Sequence, residues 1–162
     1  MEYRGLLYRA LNPRYAAEPL SGQGAALFGG RFNAVGTPAL YLSLAPATAI
    51  REANQVGTLQ PTTLVAYAAT LTAVFDTRDP AALARHGATP ATLSDPGWRD
   101  AMGRDGLAPT QALAARLTAE GHEGLLVRSF AKGAGPDDLN LVLWTWTPAA
   151  LRVIDDENRL GP

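Results

Sequence analysis

One segment carries more structural information than the rest of the chain: Phe28-Gly29-Gly30-Arg31-Phe32-Asn33-Ala34-Val35-Gly36-Thr37-Pro38-Ala39-Leu40-Tyr41-Leu42-Ser43. Its paired glycines allow the backbone to turn sharply or to approach a ligand closely. Arg31 follows that turn and can present a planar guanidinium to a phosphate group. Gly36-Thr37-Pro38 predicts a second turn, which returns the chain into a short strand over residues 39–43. The segment therefore predicts one turn directly before Arg31 and a second turn between Arg31 and a strand tyrosine, Tyr41.

A predicted helix follows that strand and carries a candidate carboxylate, Glu52. Pro46 suits the first helical turn, and the helix is expected to run to about Val56. Ile50 and Ala53 best fit its buried side, which leaves Glu52 toward a flank. A glutamate at that place is either solvated surface or the wall of a cleft, and composition alone favours the surface.

The remaining chain shows strands with helices set between them. Strands are expected over residues 5–11, 62–71 (continued after a kink by 73–76), 124–128, 139–146 and 151–154. Short helical pieces are expected over 79–106, and an amphipathic helix over 109–120 places Leu113 and Leu117 in the core. Residues 12–30 are expected to form a long loop. This order predicts one α+β domain spanning residues 1–162, with its core over about 5–154 and a mixed or antiparallel sheet flanked by helices.

Composition excludes several classes of protein. The 162 residues include 47% hydrophobic and 18% charged side chains, as in ordinary folded proteins. The net charge of -1 argues against direct nucleic-acid binding, which needs clustered Lys and Arg. The chain has no cysteine, and its two histidines, His86 and His122, lie far apart, so no metal site is expected. No signal peptide or membrane span is recognisable, and a cytoplasmic location is expected.

The common nucleotide-binding and hydrolase motifs are absent from the sequence. Gly22-Gln23-Gly24 lacks the third glycine and the strand-turn-helix context of a dinucleotide fingerprint. No glycine-rich loop precedes a Lys-Ser or Lys-Thr pair, and no Gly-x-Ser-x-Gly elbow occurs. The acidic pairs Asp137-Asp138 and Asp155-Asp156 lie in turn-like or terminal settings, where solvated positions are favoured over a catalytic dyad.

The informative segment resembles the signature of the RES family, which is named for Arg, Glu and Ser. The residues that match the family pattern are Arg31, Asn33, Gly36, Thr37, Pro38, Tyr41, Ser43 and Glu52. Leu7-Tyr8-Arg9 resembles the family's opening strand, Val127-Arg128-Ser129-Phe130 fits its serine, and the segment from Asn140 to Trp144 resembles its closing strand. Phe32 stands where the family usually has tryptophan, and Ala53-Asn54-Gln55 is less apolar than the usual continuation after the glutamate.

The resemblance implies a fold similar to that of diphtheria-toxin-type ADP-ribosyltransferases, and a protein that consumes NAD+ as its substrate without a cofactor. Glu52 would stabilise positive charge on the ribose, and Arg31 would hold the diphosphate. Ser129 would complete the catalytic group through a hydrogen bond to the ribose or carboxamide. Tyr41, with its hydroxyl free to bond, would pack on nicotinamide or ribose. Arg9 and Asn33 are the further candidate substrate-binding residues.

Each of these residues also has a plainer structural explanation. Tyr41 could be a core aromatic, and Ser129 a strand-end hydroxyl that bonds only to backbone. Arg31 could pair with Glu52, which would still place both in one cleft. Asn33 suits a turn better than a ligand contact. Trp144 and Trp146 are assigned to sheet packing.

The resemblance also implies a biological setting: the toxin of a bacterial toxin–antitoxin pair, which depletes NAD+ by hydrolysis or phosphorolysis. An alternative is transfer of ADP-ribose to a cellular protein, because water, phosphate or a side chain could each act as acceptor. An alternative of another class is a catalytically inert module that only binds a protein. The implied partner is an antitoxin of the helix-turn-helix (Xre) type, with no contact to nucleic acid or membrane.

Overall fold

The computed structural model describes residues 1–55 and 57–161, which form an α+β domain around one curled sheet. The strands are β1 (Tyr3–Leu11), β2 (Leu40–Ser43), β3 (Thr63–Leu71), β4 (Val74–Asp76), β5 (Gly124–Arg128), β6 (Leu139–Leu143) and β7 (Leu151–Val153). Their order in the sheet is β4-β5-β6-β2-β1-β3-β7. The β4–β5 pair is parallel and the other described pairs are antiparallel. The predicted fold class is confirmed.

Short helices surround the sheet, and proline starts most of them. They are α1 (Gln23–Phe28), α2 (Pro46–Ala53), α3 (Pro80–Arg85), α4 (Pro90–Ser94), α5 (Trp98–Asp105) and α6 (Pro109–Ala119). Proline fits the first helical turn because its missing N–H would have no intrahelical partner there. None of the helices formed by the described residues has the length and apolarity that crossing a membrane requires.

The two faces of the sheet are covered by different apolar clusters. Along β5, Leu126 joins one cluster, while Leu125 and Val127 join the other. The first cluster contains side chains from each of the strands β1 to β7, and the second packs α3, α4 and α6 against β5 and β6. Leu113 and Leu117 are fully buried in the second cluster, as predicted. A strand buried on both faces reads as an unbroken apolar run, which explains the sequence of β5.

The buried face of helix α2 is not the one predicted. Its buried residues are Thr48 and Ala49, whereas Ile50 and Ala53 are exposed. The apolar pattern misleads here because the helix covers a polar site, so polar side chains face inward. The helix ends at Ala53, and the predicted end at Val56 lies outside the described residues.

Two strand predictions are wrong in detail. Residues 74–76 do not continue β3 but form β4, which lies at the opposite edge of the sheet, beside β5. Strand β6 ends at Leu143 rather than at Trp146, since the amides of Trp144 and Thr145 both bond to the carbonyl of Glu123. In each case a partner distant in sequence decides where pairing begins or stops.

The predicted long loop over residues 12–30 contains regular structure. A 3₁₀ turn spans Pro13–Tyr15, and α1 spans Gln23–Phe28. Helix α1 ends at Phe28 and is capped by Gly29, whose φ of 71° is a value that glycine adopts without strain. Its six residues give too short an apolar pattern for a helix to be recognised from periodicity.

Trp144, directly after β6, connects this strand to the segment that contains Arg31. Its ring is buried, and Nε1 donates a hydrogen bond to the carbonyl of Phe32 at 2.8 Å. We expect Trp144→Phe to lower the free energy of unfolding by about 1–3 kcal/mol, because the buried carbonyl loses its donor. Denaturant unfolding measures this loss.

Trp146→Phe is the matched control, since Trp146 is only half-buried against the other cluster. Trp146→Phe should lower the free energy of unfolding clearly less than Trp144→Phe does. Equal losses in the two variants would contradict the importance of the Phe32 hydrogen bond.

Candidate functional site

A row of side chains crosses the sheet in register and forms the floor of the site. Tyr8 of β1 pairs with Ser43 of β2, Ser43 pairs with Asn140 of β6, and Asn140 pairs with Val127 of β5. Paired residues in adjacent strands point to the same face of a sheet. Helix α2 covers this face near β1 and β2, and the later helices cover it near β5 and β6. A cleft lies between the two groups of helices.

Glu52 reaches this floor from α2, and three neutral donors hold its carboxylate. Oε1 accepts hydrogen bonds from the hydroxyl of Ser129 and from Nδ2 of Asn140, the latter at 2.6 Å. Oε2 accepts a hydrogen bond from Nε2 of Gln55 at 2.8 Å. These contacts fix the orientation of the carboxylate, and they place Glu52 in a cleft wall rather than in a solvated surface.

Asn140 is a site residue that the sequence analysis did not select. Its Nδ2 donates to Glu52, and its Oδ1 accepts a hydrogen bond from Ser43 Oγ at 2.7 Å. The only signal was its place at the start of the predicted closing strand. The pairing of β6 with β2, which brings Asn140 beside Ser43, reveals its role.

Asp138 anchors the helix that carries Glu52. Oδ1 accepts a hydrogen bond from Thr48 Oγ1 at 2.7 Å, and Oδ2 accepts one from Arg51 Nη1 at 3.0 Å and one from the Gly135 amide at 2.7 Å. The Gly135 amide, the Thr48 hydroxyl and the Arg51 guanidinium hold the pKa of Asp138 below its ordinary value. The expectation that this acidic pair is merely solvated is wrong for Asp138.

Arg31 lies on the other side of the cleft, held by backbone carbonyls and aromatic rings. Its Nη1 donates to the carbonyls of Leu93 at 3.0 Å and Asp95 at 2.7 Å. The guanidinium carbon lies 4.7 Å from the centre of the Phe130 ring. Burial, and next the nearby Arg99, lower the pKa of Arg31. In the described part of the chain Arg31 forms no ion pair with Glu52, although the two side chains border the same cavity.

Tyr41 faces the cleft, but its hydroxyl is already engaged. It donates to Asn33 Oδ1 at 2.6 Å and accepts from the Phe32 amide at 3.0 Å. Burial raises the pKa of Tyr41, so the hydroxyl stays protonated at neutral pH. The prediction of a free hydroxyl is wrong, and the exposed part of the ring is what Tyr41 offers to a ligand. A side chain at Gly30 would collide with this hydroxyl, which explains the second glycine of the pair.

Asn33 lies beneath the cleft and not in its wall. Only 1% of Asn33 is exposed, and its Nδ2 donates to the carbonyls of Ala25 and Thr37, both at 2.9 Å. Its side-chain oxygen is occupied by Tyr41. The structure therefore places Asn33 as the residue that closes the turn and orients Tyr41, as in the turn-forming alternative, and Asn33 lines neither compartment of the cleft.

The cleft consists of two compartments that meet at Glu52. The first has a volume of about 280 Å³ and is lined by Tyr8, Arg9 and Ser43 among others. The second has a volume of about 300 Å³ and is lined by Arg31, Trp98, Arg99 and Phe130 among others. Tyr41, Glu52, Gln55 and Asn140 border both. An elongated ligand that spans both compartments would pass directly over the carboxylate.

Arg9 and Ser129, the two remaining predicted site residues, lie in different places. Arg9 lines the first compartment, and its Nη1 lies 3.4 Å from the carbonyl of Pro19, a long hydrogen bond. Ser129 is buried, and besides bonding to Glu52 its hydroxyl accepts a hydrogen bond from the amide of Ala131. A larger groove of about 650 Å³ lies beyond Ser129 and Phe130 and does not include Glu52 in its lining.

The fold and site define an α+β protein with a carboxylate at the junction of a two-part cleft, facing an arginine held against aromatic rings. The sequence matches the RES domain over residues 6–160, nearly the whole chain, and the protein belongs to the RES-domain family. RES domains are associated with a toxin function related to NAD+. A search of curated proteins found no match.

The Asp138 anchor predicts a dependence of stability on pH. Because the pKa of Asp138 is depressed in the folded state, its stabilising contribution is present above its ordinary pKa and is lost as pH falls through the folded value. We expect Asp138→Asn to lower the unfolding temperature at about pH 7, and the difference from the parent protein to shrink toward about pH 3. Thermal unfolding across this range measures the effect.

Asp137→Asn is the matched control, since the neighbouring Asp137 is exposed and has no hydrogen-bond partner among the described residues. It should leave the unfolding temperature nearly unchanged. A difference between Asp138→Asn and the parent protein that stays constant with pH would contradict the anchor.

Proposed function

We propose that this protein is a toxin that depletes NAD+ by cleaving the bond between nicotinamide and ribose, with water or inorganic phosphate as the acceptor. The observation that supports this most strongly is the Glu52 carboxylate, oriented by Ser129, Asn140 and Gln55 where the two compartments meet. The family association with NAD+ narrows the choice of substrate.

The proposed reaction requires a negative charge beside the ribose. As the bond between C1′ and the nicotinamide nitrogen breaks, its electron pair leaves with nicotinamide and positive charge develops on the ribose. A fixed carboxylate stabilises this charge without having to reorganise during the reaction. An oxygen of the acceptor then bonds to C1′, and when the acceptor is water, Glu52 accepts its proton.

The other site residues have positioning roles in this proposal. Arg31 binds a phosphate of the dinucleotide through charge-assisted hydrogen bonds, for which a guanidinium is suited. The ring of Tyr41 packs against the nicotinamide or its ribose. Ser129 acts through Glu52, whose carboxylate it orients together with Asn140.

The proposal includes a partner and a location. A toxin that consumes NAD+ requires neutralisation in the cell that makes it, and the resemblance implies a helix-turn-helix (Xre-type) antitoxin. Because the substrate is a cytoplasmic metabolite, the activity would be cytoplasmic. Expression without the antitoxin should arrest growth, and Glu52→Gln should relieve the arrest.

The direct test is nicotinamide release from NAD+ by the purified protein, with and without inorganic phosphate. Chromatography of the ribosyl product identifies the acceptor: ADP-ribose indicates water, phosphorylated ADP-ribose indicates phosphate, and ADP-ribose attached to protein indicates a transferase. We expect Glu52→Gln to lower the rate of nicotinamide release by about 100-fold or more, since charge stabilisation at the ribose is lost.

Glu120→Gln is the control, because Glu120 is exposed at the end of α6 and bonds to His86, away from both compartments. It should retain the parent rate. A folded parent protein, free of antitoxin, that releases no nicotinamide would count against the proposal and favour the inert binding module. Full activity in Glu52→Gln would refute the role of the carboxylate.

A further inference from the structure

Three arginines line the second compartment, Arg31, Arg99 and Arg128, and the proposed reaction uses only Arg31. Of these, Arg99 is the second residue of α5. The Arg99 guanidinium carbon lies 4.6 Å from the centre of the Trp98 ring, and that of Arg31 lies 6.0 Å from the same ring. Both distances are within the range of cation–π attraction, so Trp98 holds the two cations at one end of the cleft.

Neither arginine is neutralised by a carboxylate. Within residues 1–55 and 57–161, neither Arg31 nor Arg99 forms an ion pair. Asp95 offers Arg31 its backbone carbonyl, and the Asp95 carboxylate accepts a hydrogen bond from the Gly97 amide at 2.8 Å. Burial lowers the pKa of Arg31 most, and repulsion from Arg99 lowers it further, against the attraction of Asp95 and Glu52. An anionic ligand would relieve that repulsion.

Arg104 on the same helix shows how an ordinary surface arginine behaves in this protein. It is exposed, and its guanidinium pairs with the carboxylate of Asp105 at 2.9 Å. Arg99 is also exposed, but it lies on an aromatic ring at the edge of a cavity and has no acidic partner in the described chain. The contrast is typical of an arginine placed for a ligand.

We propose that Arg99, together with Arg31 and Trp98, forms the subsite that binds the diphosphate of the dinucleotide. This inference rests on the proposed function and extends it by giving the substrate a direction. The diphosphate lies in the second compartment, and the nicotinamide end extends past Glu52 into the compartment lined by Tyr8 and Arg9. The opposite direction would place the diphosphate in the first compartment, whose described lining has a single arginine, Arg9, whereas Arg31 and Arg99 lie together in the second.

Arg31 and Arg99 could instead bind free inorganic phosphate. Experiments can distinguish this ligand from the diphosphate of the dinucleotide. Calorimetric titrations with ADP-ribose, inorganic phosphate and nicotinamide would use Glu52→Gln protein, in which turnover is suppressed. Arg99→Ala, Arg9→Ala and Arg104→Ala would each be added to that background. The exposed positions of Arg99 and Arg104 make unfolding of these variants unexpected, and circular dichroism checks it.

We expect Arg99→Ala to weaken ADP-ribose binding about 10-fold or more, as the loss of a charge-assisted contact does, while nicotinamide binding is unchanged. Arg104→Ala should bind ADP-ribose like its parent. Weakening by Arg9→Ala without weakening by Arg99→Ala would overturn the proposed direction. Loss of phosphate binding with unchanged ADP-ribose binding would assign the subsite to the acceptor instead and overturn the diphosphate assignment.

Kinetic measurements of turnover distinguish failure of this inference from failure of the proposed function. With Glu52 intact, Arg99→Ala should raise the KM for NAD+ about 10-fold and leave kcat nearly unchanged, because the contact is equally strong in the ground and transition states. Nicotinamide release with an unchanged KM in Arg99→Ala would refute the subsite while the function stands. Absence of nicotinamide release by the parent protein, together with ADP-ribose binding that depends on Arg99, would refute the function and leave the subsite supported.

Discussion

The pairing of β2 with β6 determines what this protein presents to a ligand. It places Ser43 beside Asn140, and the neighbouring strands extend the row to Tyr8 on one side and Val127 on the other. Side chains alternate between the faces of a strand, so a slip of one residue would turn Asn140 into the apolar interior and Leu141 into the cleft. The neighbouring apolar residues, such as Leu42 and Leu141, are buried in a core cluster and oppose such a slip. The packing of the core thus fixes the geometry of the polar site.

The donors that orient Glu52 leave its charge available. A hydroxyl and two amides bind the carboxylate, and among the described residues no cation pairs with it. A lysine or arginine in place of these donors would also orient the carboxylate, but it would neutralise its negative charge. The positive side chain of α2, Arg51, bonds instead to Asp138, where it secures the helix. The ion pair of Arg51 with Asp138 thus holds the helix, while the charge of Glu52 stays available in the cleft.

The segment around Arg31 acts as a rigid support for the opposite side of the cleft. The Phe32 carbonyl accepts from Trp144, and the carbonyls of Gly30 and Asn33 accept from Gln111 of α6. These contacts join the turn to Trp144, directly after β6, and to the buried face of α6. Arg31 starts from this support, and the carbonyls of the α4–α5 region and the aromatic rings hold its guanidinium. A ligand would thus meet an arginine whose position is largely set in advance, which lowers the entropic cost of binding.

The sequence alone determined the α+β class, the family and four of the residues that line the cleft: Arg9, Arg31, Tyr41 and Glu52. These were recognisable because turns, prolines at helix starts and motif spacing depend on near neighbours in the chain. Only the tertiary structure showed the contacts of Asn140 and Asp138, the position of Arg99 beside Trp98, the burial of Asn33, the inward face of α2 and the place of β4. Glu52 meets its partners Ser129 and Asn140 across 77 and 88 positions of sequence, and Thr48 meets Asp138 across 90. Contacts at such separations are decided by strand order, register and packing, for which a single sequence carries no local signal.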